Sequence, residues 1–496
     1  MTFTPDALKS LGVSVTRLTT DSRAVQPGDT FVAHPGAAAD GRRFIPQAIA
    51  NGANAVIWES HGFEWNTDWH SPNLPIASLR EHAGVLADAV YGQPSEKLWM
   101  IGVTGTNGKT SCSTWLATAL AAQGKKCGLI GTLGNGFPGA LQATLNTTPD
   151  AIRVHGLLAD FLAQGANSVA MEVSSHALEE GRVQAVRFDV ALFTNLSRDH
   201  LDFHGDMTHY AAAKRKLFDT HQLKYAVLNL DDAYGMEFAE QLRDSEVEVI
   251  GYGLSDAALQ RAEHLGIRMV FGGELKMDSA GLKLNVHSSW GGAQLSSPLV
   301  GRFNAANLLG SLAVLLVSDV PLAQAVAALE QVQAVPGRMQ KIGGGDLPSV
   351  VVDYAHTPDA LEKVLAALRE LAEAQHGQLI CVFGCGGDRD SGKRPMMGKI
   401  AEKLAHQVIV TNDNPRSEAP QTIIDEIVSG MQNGQVEVIE DRAAAITTAI
   451  ARAGASDTVL LAGKGHEPYQ EIAGIKHPFS DLTQAEQALS AWRAHA

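Results

Sequence analysis

The chain has 496 residues, enough for about three domains of the usual ~100–200 residues each. Its net charge of −15 excludes general binding to nucleic acid or to an anionic membrane, because the summed field repels a phosphate backbone. The 45% hydrophobic content and 48 glycines suit α/β architecture with many tight strand-to-helix turns.

Residues 1–97 carry short strands at Thr30–Ala33 and Ala55–Trp58 and a helix over Phe44–Asn51, a small α/β unit. Apolar Leu98–Val103 reads as a strand feeding Ile101-Gly-Val-Thr-Gly-Thr-Asn-Gly-Lys-Thr110, and a helix is predicted from Ser113 to Gln123. Such a turn is built for polyphosphate. Backbone N–H groups of Gly105, Thr106, Asn107, Gly108 and Ser111 can converge on phosphate oxygens, Lys109 supplies a charge, and the Thr110 hydroxyl can reach Mg²⁺. The spacing is a variant, with Gly102 one place before Val103. Through residues 98–335 strands at Cys127–Ile130, Ser168–Val173, Val190–Phe193 and Tyr225–Asn229 alternate with helices, followed by a β-like run from 246 to 300. That order predicts a doubly wound sheet. A boundary falls near Pro336. Alternation restarts over 336–496 with Val350–Asp353, Leu379–Phe383, Val408–Thr411 and Thr458–Leu461.

The four cysteines (Cys112, Cys127, Cys381, Cys385) have no zinc-type pairing. No 18-residue apolar run occurs, and Met1-Thr-Phe-Thr-Pro5 does not open a basic-then-apolar leader, so a cytoplasmic chain without membrane insertion is expected.

Polar residues cluster at or soon after strand ends, where open α/β sheets bind ligands. Glu172 ends a buried-looking strand and can hold Mg²⁺, or it can be a solvated terminal carboxylate. His200 can be a second metal ligand, or a capping or core histidine. Lys214 and Lys216 lie on one helix, where the residues alone favour a solvated basic face. Three charged loops follow: Phe383-Gly-Cys-Gly-Gly-Asp-Arg-Asp390, Thr411-Asn-Asp-Asn-Pro-Arg416 and Ala462-Gly-Lys-Gly-His-Glu467. Arginine can fork onto a carboxylate while an acid receives an ammonium, which suits an amino acid.

These segments together resemble the Mur ligase family, the ATP-dependent amide-forming enzymes of peptidoglycan synthesis, and within it the MurE type. The resemblance rests on Gly102–Thr110, Asn146-Thr-Thr148, Glu172-Val-Ser-Ser-His176, Asn195-Leu-Ser-Arg-Asp-His-Leu-Asp202 and the Lys214 helix in the centre. Near the C-terminus it rests on Asp353-Tyr-Ala-His-Thr-Pro358, Gly384–Asp388, Asp413-Asn-Pro-Arg416 and Gly463-Lys-Gly-His-Glu467. It implies three domains: a UDP-sugar-binding α/β domain, a central P-loop ATPase-like sheet and a C-terminal Rossmann-like α/β domain. It also implies that Lys214 is carbamylated by CO₂ and joins Thr110, Glu172 and His200 around Mg²⁺, overturning the solvated-face reading.

By the same resemblance Asn304, Asn307, Arg338 and Asp353 lie near adenine and ribose, with Lys109, Glu172, His200 and Lys214 catalytic. The UDP-sugar falls on Thr20, Ser22 and Ala37-Ala-Ala39, where relatives have His-Gln-Ala, and the muramoyl peptide on Asn146, Thr147, Thr148, Ser174, Glu180 and Arg182. Glu180 stands where glutamine is expected. Arg389, Asp413, Asn414, Pro415, Arg416, Gly463 and Glu467 form the amino-acid site, in a motif resembling that of ligases adding meso-diaminopimelate. A lysine ligand would leave a buried arginine unpaired, at a cost of about 1–3 kcal/mol.

The implied reaction phosphorylates the D-glutamate γ-carboxylate of UDP-MurNAc-L-Ala-D-Glu with ATP, and the amine then attacks the acyl phosphate. A monomer is expected. Two other ligases remain open, an L-lysine-adding relative and a folylpolyglutamate synthase-like enzyme, although Asp21-Ser-Arg23 and Asp40-Gly-Arg-Arg43 favour a nucleotide-sugar domain. A nucleotide switch without an amino-acid substrate is the third alternative, and the three charged loops argue against it.

Overall fold

The computed structural model describes residues 4–36, 39–278, 280–432 and 436–495. Three large sheets divide the described residues, with a two-stranded ribbon, Tyr469–Ile472 and Ile475–Pro478, beside the third. In the first, Leu18–Thr19, Thr30–Ala33, Ala55–Glu59 and Asn73–Ile76 run parallel in that order. Alternate residues of Thr30–Ala33 and Ala55–Glu59 face two small cores, one around Leu86 and Ile57 and the other around Phe31 and Trp58.

The second sheet has eleven strands, and its parallel centre positions the site. Trp99–Thr104 is flanked by Val190–Phe193 on one side and Ser168–Glu172 on the other. The chain leaves Trp99–Thr104 toward Cys127–Gly131, returns through Ser168–Glu172, and crosses to Val190–Phe193. This change of direction opens a crevice beyond the carboxyl end of Trp99–Thr104. Both faces are covered. On one face Lys109–Ala122 buries Cys112, Leu116 and Leu120 against the same core as the almost wholly buried helix Arg302–Val317, and on the other Ala151–Ala163 buries Val154, Leu158 and Phe161.

The third sheet orders its strands as Gln340–Gly343, Ser349–Asp353, Thr458–Ala462, Leu379–Phe383, Gln407–Val410 and Glu437–Val438, all parallel except the first. The α/β expectation and its three domains therefore hold. No helix among the described residues is long and apolar enough to cross a membrane.

Two local expectations need correction. The helix after the glycine turn begins at Lys109, four residues before Ser113, because Gly108 at φ +90° closes the turn itself and hands the next residue to the helix. The 246–300 run is not continuously β-like. Helix Asp256–Leu265 interrupts it, capped by Ser255 Oγ, which accepts from Ala258 N at 3.1 Å, and closed by Gly266 in the left-handed region.

Candidate active site between the central and C-terminal domains

The glycine turn is braced by the neighbouring strand's end. Thr106 N donates to Asn195 O at 2.8 Å, Asn107 N donates to Asn195 Oδ1 at 3.1 Å, and Thr194 Oγ1 donates to Asn107 O at 2.5 Å. Asn307 closes the other side. A Cβ on Gly108 would come within 2.6 Å of its Oδ1, so only glycine fits under the asparagine. Lys109 Nζ donates to the carbonyls of Gly105 and Thr106, at 2.8 and 2.9 Å, and its burial pushes the amine below its ordinary value.

Glu172 anchors the next layer. Its carboxylate accepts from Thr110 Oγ1 at 3.0 Å, from Thr132 N at 2.7 Å and from Thr132 Oγ1 at 3.1 Å. It is thus not a solvated strand terminus. His200 is neither a core residue nor an ordinary cap: it takes φ +54° at the start of Leu201–His204, with its ring 4.7 Å from that of His176. Burial pushes its imidazole down to about 3, against the opposing charge of Asp199, so at neutral pH a ring nitrogen keeps its lone pair.

Lys214 and Lys216 part company. Lys216 is exposed and pairs with Glu179 at 2.7 Å, whereas Lys214 is 1% exposed and donates to Gly105 O at 2.9 Å. Burial, and next the charge of Lys109, drive the Lys214 amine well below its ordinary value. Among the described residues no three histidine, cysteine or carboxylate side chains form a ready metal cage. The donor set instead suits a hard cation held in part by phosphate, with the Thr110 hydroxyl and the Glu172 carboxylate supplying oxygens at the turn.

A cleft of about 520 Å³ extends from the turn between the domains. It gathers Asn107, Gly108, Ser111, Asn304, Asn307, Arg338 and Asp353. Arg338 donates to Thr110 Oγ1 at 3.3 Å and stacks 4.6 Å over the Tyr354 ring. Asp353 accepts from Met339 N at 2.7 Å, and burial raises its carboxyl although Arg338 opposes the rise.

Tyr354 also walls a second cavity, of about 190 Å³, lined by His200, Arg389, Asp413, Asn414, Arg416, Gly463 and Glu467. His200 follows Val190–Phe193 of the central sheet, and three strand ends of the C-terminal sheet deliver the others: Leu379–Phe383, Gln407–Val410 and Thr458–Ala462. Arg416, at φ +52°, is held by its own N–H on Glu471 O at 3.0 Å and by its NH1 on Gly387 O at 2.6 Å. Arg389 is exposed and donates to Asp388 O at 2.8 Å, while Pro415 is buried behind the wall. The glycine turn thus faces a pocket of mixed charge across one aromatic residue.

Three family profiles match in chain order: Mur ligase family, catalytic domain, over residues 14–91; Mur ligase middle domain over 103–315; and Mur ligase, glutamate ligase domain, over 337–465. The chain is 51% identical over 489 residues to the UDP-N-acetylmuramoyl-L-alanyl-D-glutamate--2,6-diaminopimelate ligase of Chromobacterium violaceum, covering 98% of this chain and 97% of that one. The chain belongs to the Mur ligase family. It is also 50% identical to the Pseudomonas aeruginosa protein of the same name, covering 96% of each. A solved Mur ligase structure, of a UDP-N-acetylmuramoyl-L-alanyl-D-glutamate--2,6-diaminopimelate ligase, aligns at TM-score 0.66 and 36% identity, over 97% of this chain and 95% of that one. MurF from Acinetobacter baumannii, at TM-score 0.69 and 19% identity over 97% of this chain and 94% of that one, shares the fold.

Other residues expected from the Mur ligase resemblance line neither cavity. Ser22 is buried and donates to Gln47 Oε1 at 2.8 Å, beside half-buried Thr20; Ala39 is exposed, and Ala37 and Ala38 lie outside the described residues. Asn146 is exposed. Thr147 and Thr148 wire that loop to Glu172: Thr147 Oγ1 lies 3.0 Å from Thr132 Oγ1, and Thr148 Oγ1 donates to Glu172 O at 2.9 Å. Ser174 caps its helix by accepting from Ala177 N. Glu180 accepts from Arg182 Nε at 2.7 Å and lies 3.6 Å from Arg80 of the N-terminal domain, so two arginines neutralise the acid that stands where glutamine was expected.

Three further polar residues of this Mur ligase centre escaped the sequence. Asp199 is buried beside His200 at 3.3 Å, His356 at 3.6 Å and Lys393 at 3.9 Å. Burial disfavours its charged form, but His356, His200 and Lys393 together outweigh that and hold the carboxyl well below the usual range. Asp199 and His356 sit inside segments already singled out for their neighbours, which was the available signal; Lys393 carried none.

Proposed function

We propose that the chain is an ATP-dependent ligase that adds meso-diaminopimelate to the D-glutamate γ-carboxylate of UDP-MurNAc-L-Ala-D-Glu, in cytoplasmic peptidoglycan precursor synthesis, acting as a monomer. The observation that carries it is the shared wall at Tyr354, with a phosphate-binding turn on one side and a pocket bearing Arg416 and Glu467 on the other. Relatives about 50% identical over nearly their whole length bear the name of this reaction. The domains are taken as 1–97 for the UDP-sugar, 98–335 for ATP and 336–496 for the amino acid.

In this reading ATP lies on Gly105–Ser111, with its base and ribose toward Asn304, Asn307, Arg338 and Asp353. Lys109, now clamped to two loop carbonyls, turns onto phosphate and offsets its repulsion with the substrate carboxylate. Thr110, Glu172, His200 and Lys214 would hold Mg²⁺, which would supply charge neutralisation at the phosphates.

Lys214 joins that set as a carbamate. Its unprotonated amine attacks CO₂, an N–C bond forms and a proton leaves, converting a base into an oxygen donor. Its burial favours the reactive neutral amine. The UDP-sugar lies on Thr20, Ser22 and the 37–39 loop, and the muramoyl peptide along Asn146, Thr147, Thr148, Ser174, Glu180 and Arg182.

Arg416 and Arg389 receive the carboxylate of the incoming amino acid, and Glu467 its ammonium, while Asp413, Asn414, Pro415 and Gly463 shape the pocket. Phosphate transfer to the γ-carboxylate gives an acyl phosphate, which the free amine attacks with release of phosphate.

The test is phosphate release by the purified chain with ATP, Mg²⁺ and UDP-MurNAc-L-Ala-D-Glu, plus meso-diaminopimelate or L-lysine. Release that requires meso-diaminopimelate supports the reading. Release independent of either amino acid sinks it, and preference for L-lysine overturns the specificity alone.

A further inference from the structure

Lys464 is fully buried between two glycines, and it does not line the amino-acid pocket although Gly463 and Glu467 do. Its ammonium sits behind the wall. Nζ donates to Asn414 Oδ1 at 2.9 Å and to Glu467 Oε2 at 3.1 Å, and lies 3.5 Å from Asp413 Oδ1. It therefore ties the loop after Gln407–Val410 to the loop after Thr458–Ala462.

The bonds impose a direction. Asn414 Oδ1 also accepts from Glu471 N at 2.9 Å, so two donors meet the oxygen and a flipped amide would set its NH₂ against both. The amide nitrogen is thereby aimed at Glu467, donating to Oε2 at 2.8 Å. Both inner bonds of Glu467 use Oε2, which leaves Oε1 for a ligand. The approach is close because Gly463, at φ +113°, has no Cβ; one placed there would come within 2.5 Å of Asp413 Oδ2.

We infer that Lys464 is a positioning residue for the incoming amino acid: its buried ammonium fixes the Asn414 amide and the Glu467 carboxylate, and so sets which oxygen receives the substrate's amino group. The inference rests on the second cavity being the amino-acid site. Folding does not hang on Lys464 alone. A separate buried pair, Arg442 with Asp481 at 2.6 Å, holds the same two strand ends through the carbonyls of Asn412 and Ala462, at 3.2 and 2.9 Å.

The test compares the full-length wild type with Lys464→Met, which keeps the stem and removes the charge, and Lys464→Gln, which keeps a shorter donor. Initial rates of phosphate release are measured against each of the three substrates in turn. The expected result is a KM for meso-diaminopimelate raised about 10–100-fold in Lys464→Met and less in Lys464→Gln, with the KM values for ATP and the UDP-dipeptide within about twofold. In a double-mutant cycle, Asn414→Ala combined with Lys464→Met costs less than the sum of the two single variants, because the asparagine transmits part of the effect and the direct bond to Glu467 the rest. Equal rises in all three KM values, an unmoved KM for meso-diaminopimelate, or additive cycle energies would overturn the role. A wild type that needs no amino acid would instead overturn the reading of the pocket, so the two failures are separable.

Discussion

On the phosphate side of the cleft Lys214 is 1% exposed, and its amine meets the Gly105 carbonyl at 2.9 Å and the face of Tyr210 at 4.5 Å. On the amino-acid side Lys464 is equally buried, but against an amide oxygen and two carboxylates. One residue type at one depth thus does opposite work. Burial without an acid favours the neutral, nucleophilic amine, whereas burial against acids makes a fixed cation that organises its neighbours. The wider regions follow suit: the glycine turn presents mainly backbone, the C-terminal pocket side chains braced from behind.

The largest effect tests the reactive member. Lys214→Met is expected to lower kcat about 10²–10³-fold, as loss of one charge-stabilising group at a reacting phosphate does. The same substitution is expected to raise the thermal unfolding midpoint in CO₂-depleted buffer, since it removes a buried amine whose charged form burial and Lys109 oppose more strongly than Asp199 supports it. Lys464→Met should lower that midpoint, because it strands Asp413 and Glu467. Midpoints that move in the same direction for both variants would break the contrast.

A smaller effect sharpens the side-chain half. Arg416→Met is expected to reduce kcat/KM for meso-diaminopimelate by about 10–100-fold, or 1–3 kcal/mol, while the slow rate with L-lysine stays level or rises. Competition between the two amino acids, read by mass spectrometry of the product, measures the ratio directly. An equal fall for both would assign Arg416 to the loop's own architecture, through its bonds to Gly387 and Glu471, and not to specificity.

The two regions were not equally legible. The glycine turn between strand and helix was readable because its glycines, Lys109 and Thr110 are contiguous and flanked by apolar runs. Lys214 was not readable from its residues. Lys214 and Lys216 are two positions apart, about 200° around the helix axis, so one faces the core and the other water, and only packing decides which.

The acidic and basic loops after the C-terminal strands suggested an amino-acid ligand, yet Lys464, inside one of them, was given no role of its own. Its burial depends on Asn414, fifty residues away in the chain. Asp199 shows the same limit, since two of its three partners, His356 and Lys393, come from the other domain. Motifs record what a segment can hold, and the pairing between segments is supplied by the sheets.

The seam between the two regions yields the smallest effect. Tyr354 lines both cavities, with Arg338 stacked 4.6 Å over its ring and the His466 ring 5.7 Å away. Burial, and then the Arg338 charge, push His466 from its ordinary 6.5 down to about 4. The sign follows. The folded state resists a proton that the unfolded chain accepts near 6.5, so this contribution to stability is complete above that pH and is lost as the pH falls toward about 4. Such a shift has a ceiling of about 3 kcal/mol, reduced to about 1–2 kcal/mol for a ring that keeps some contact with water. Urea unfolding of His466→Gln across this window is expected to give a shallower loss of stability than the wild type, while parallel curves would place the acid sensitivity elsewhere. The added proton would face the charge of Arg338, which itself donates to Thr110 Oγ1 at 3.3 Å. The contrast between backbone and side-chain regions therefore ends at Tyr354, where the two share one electrostatic environment.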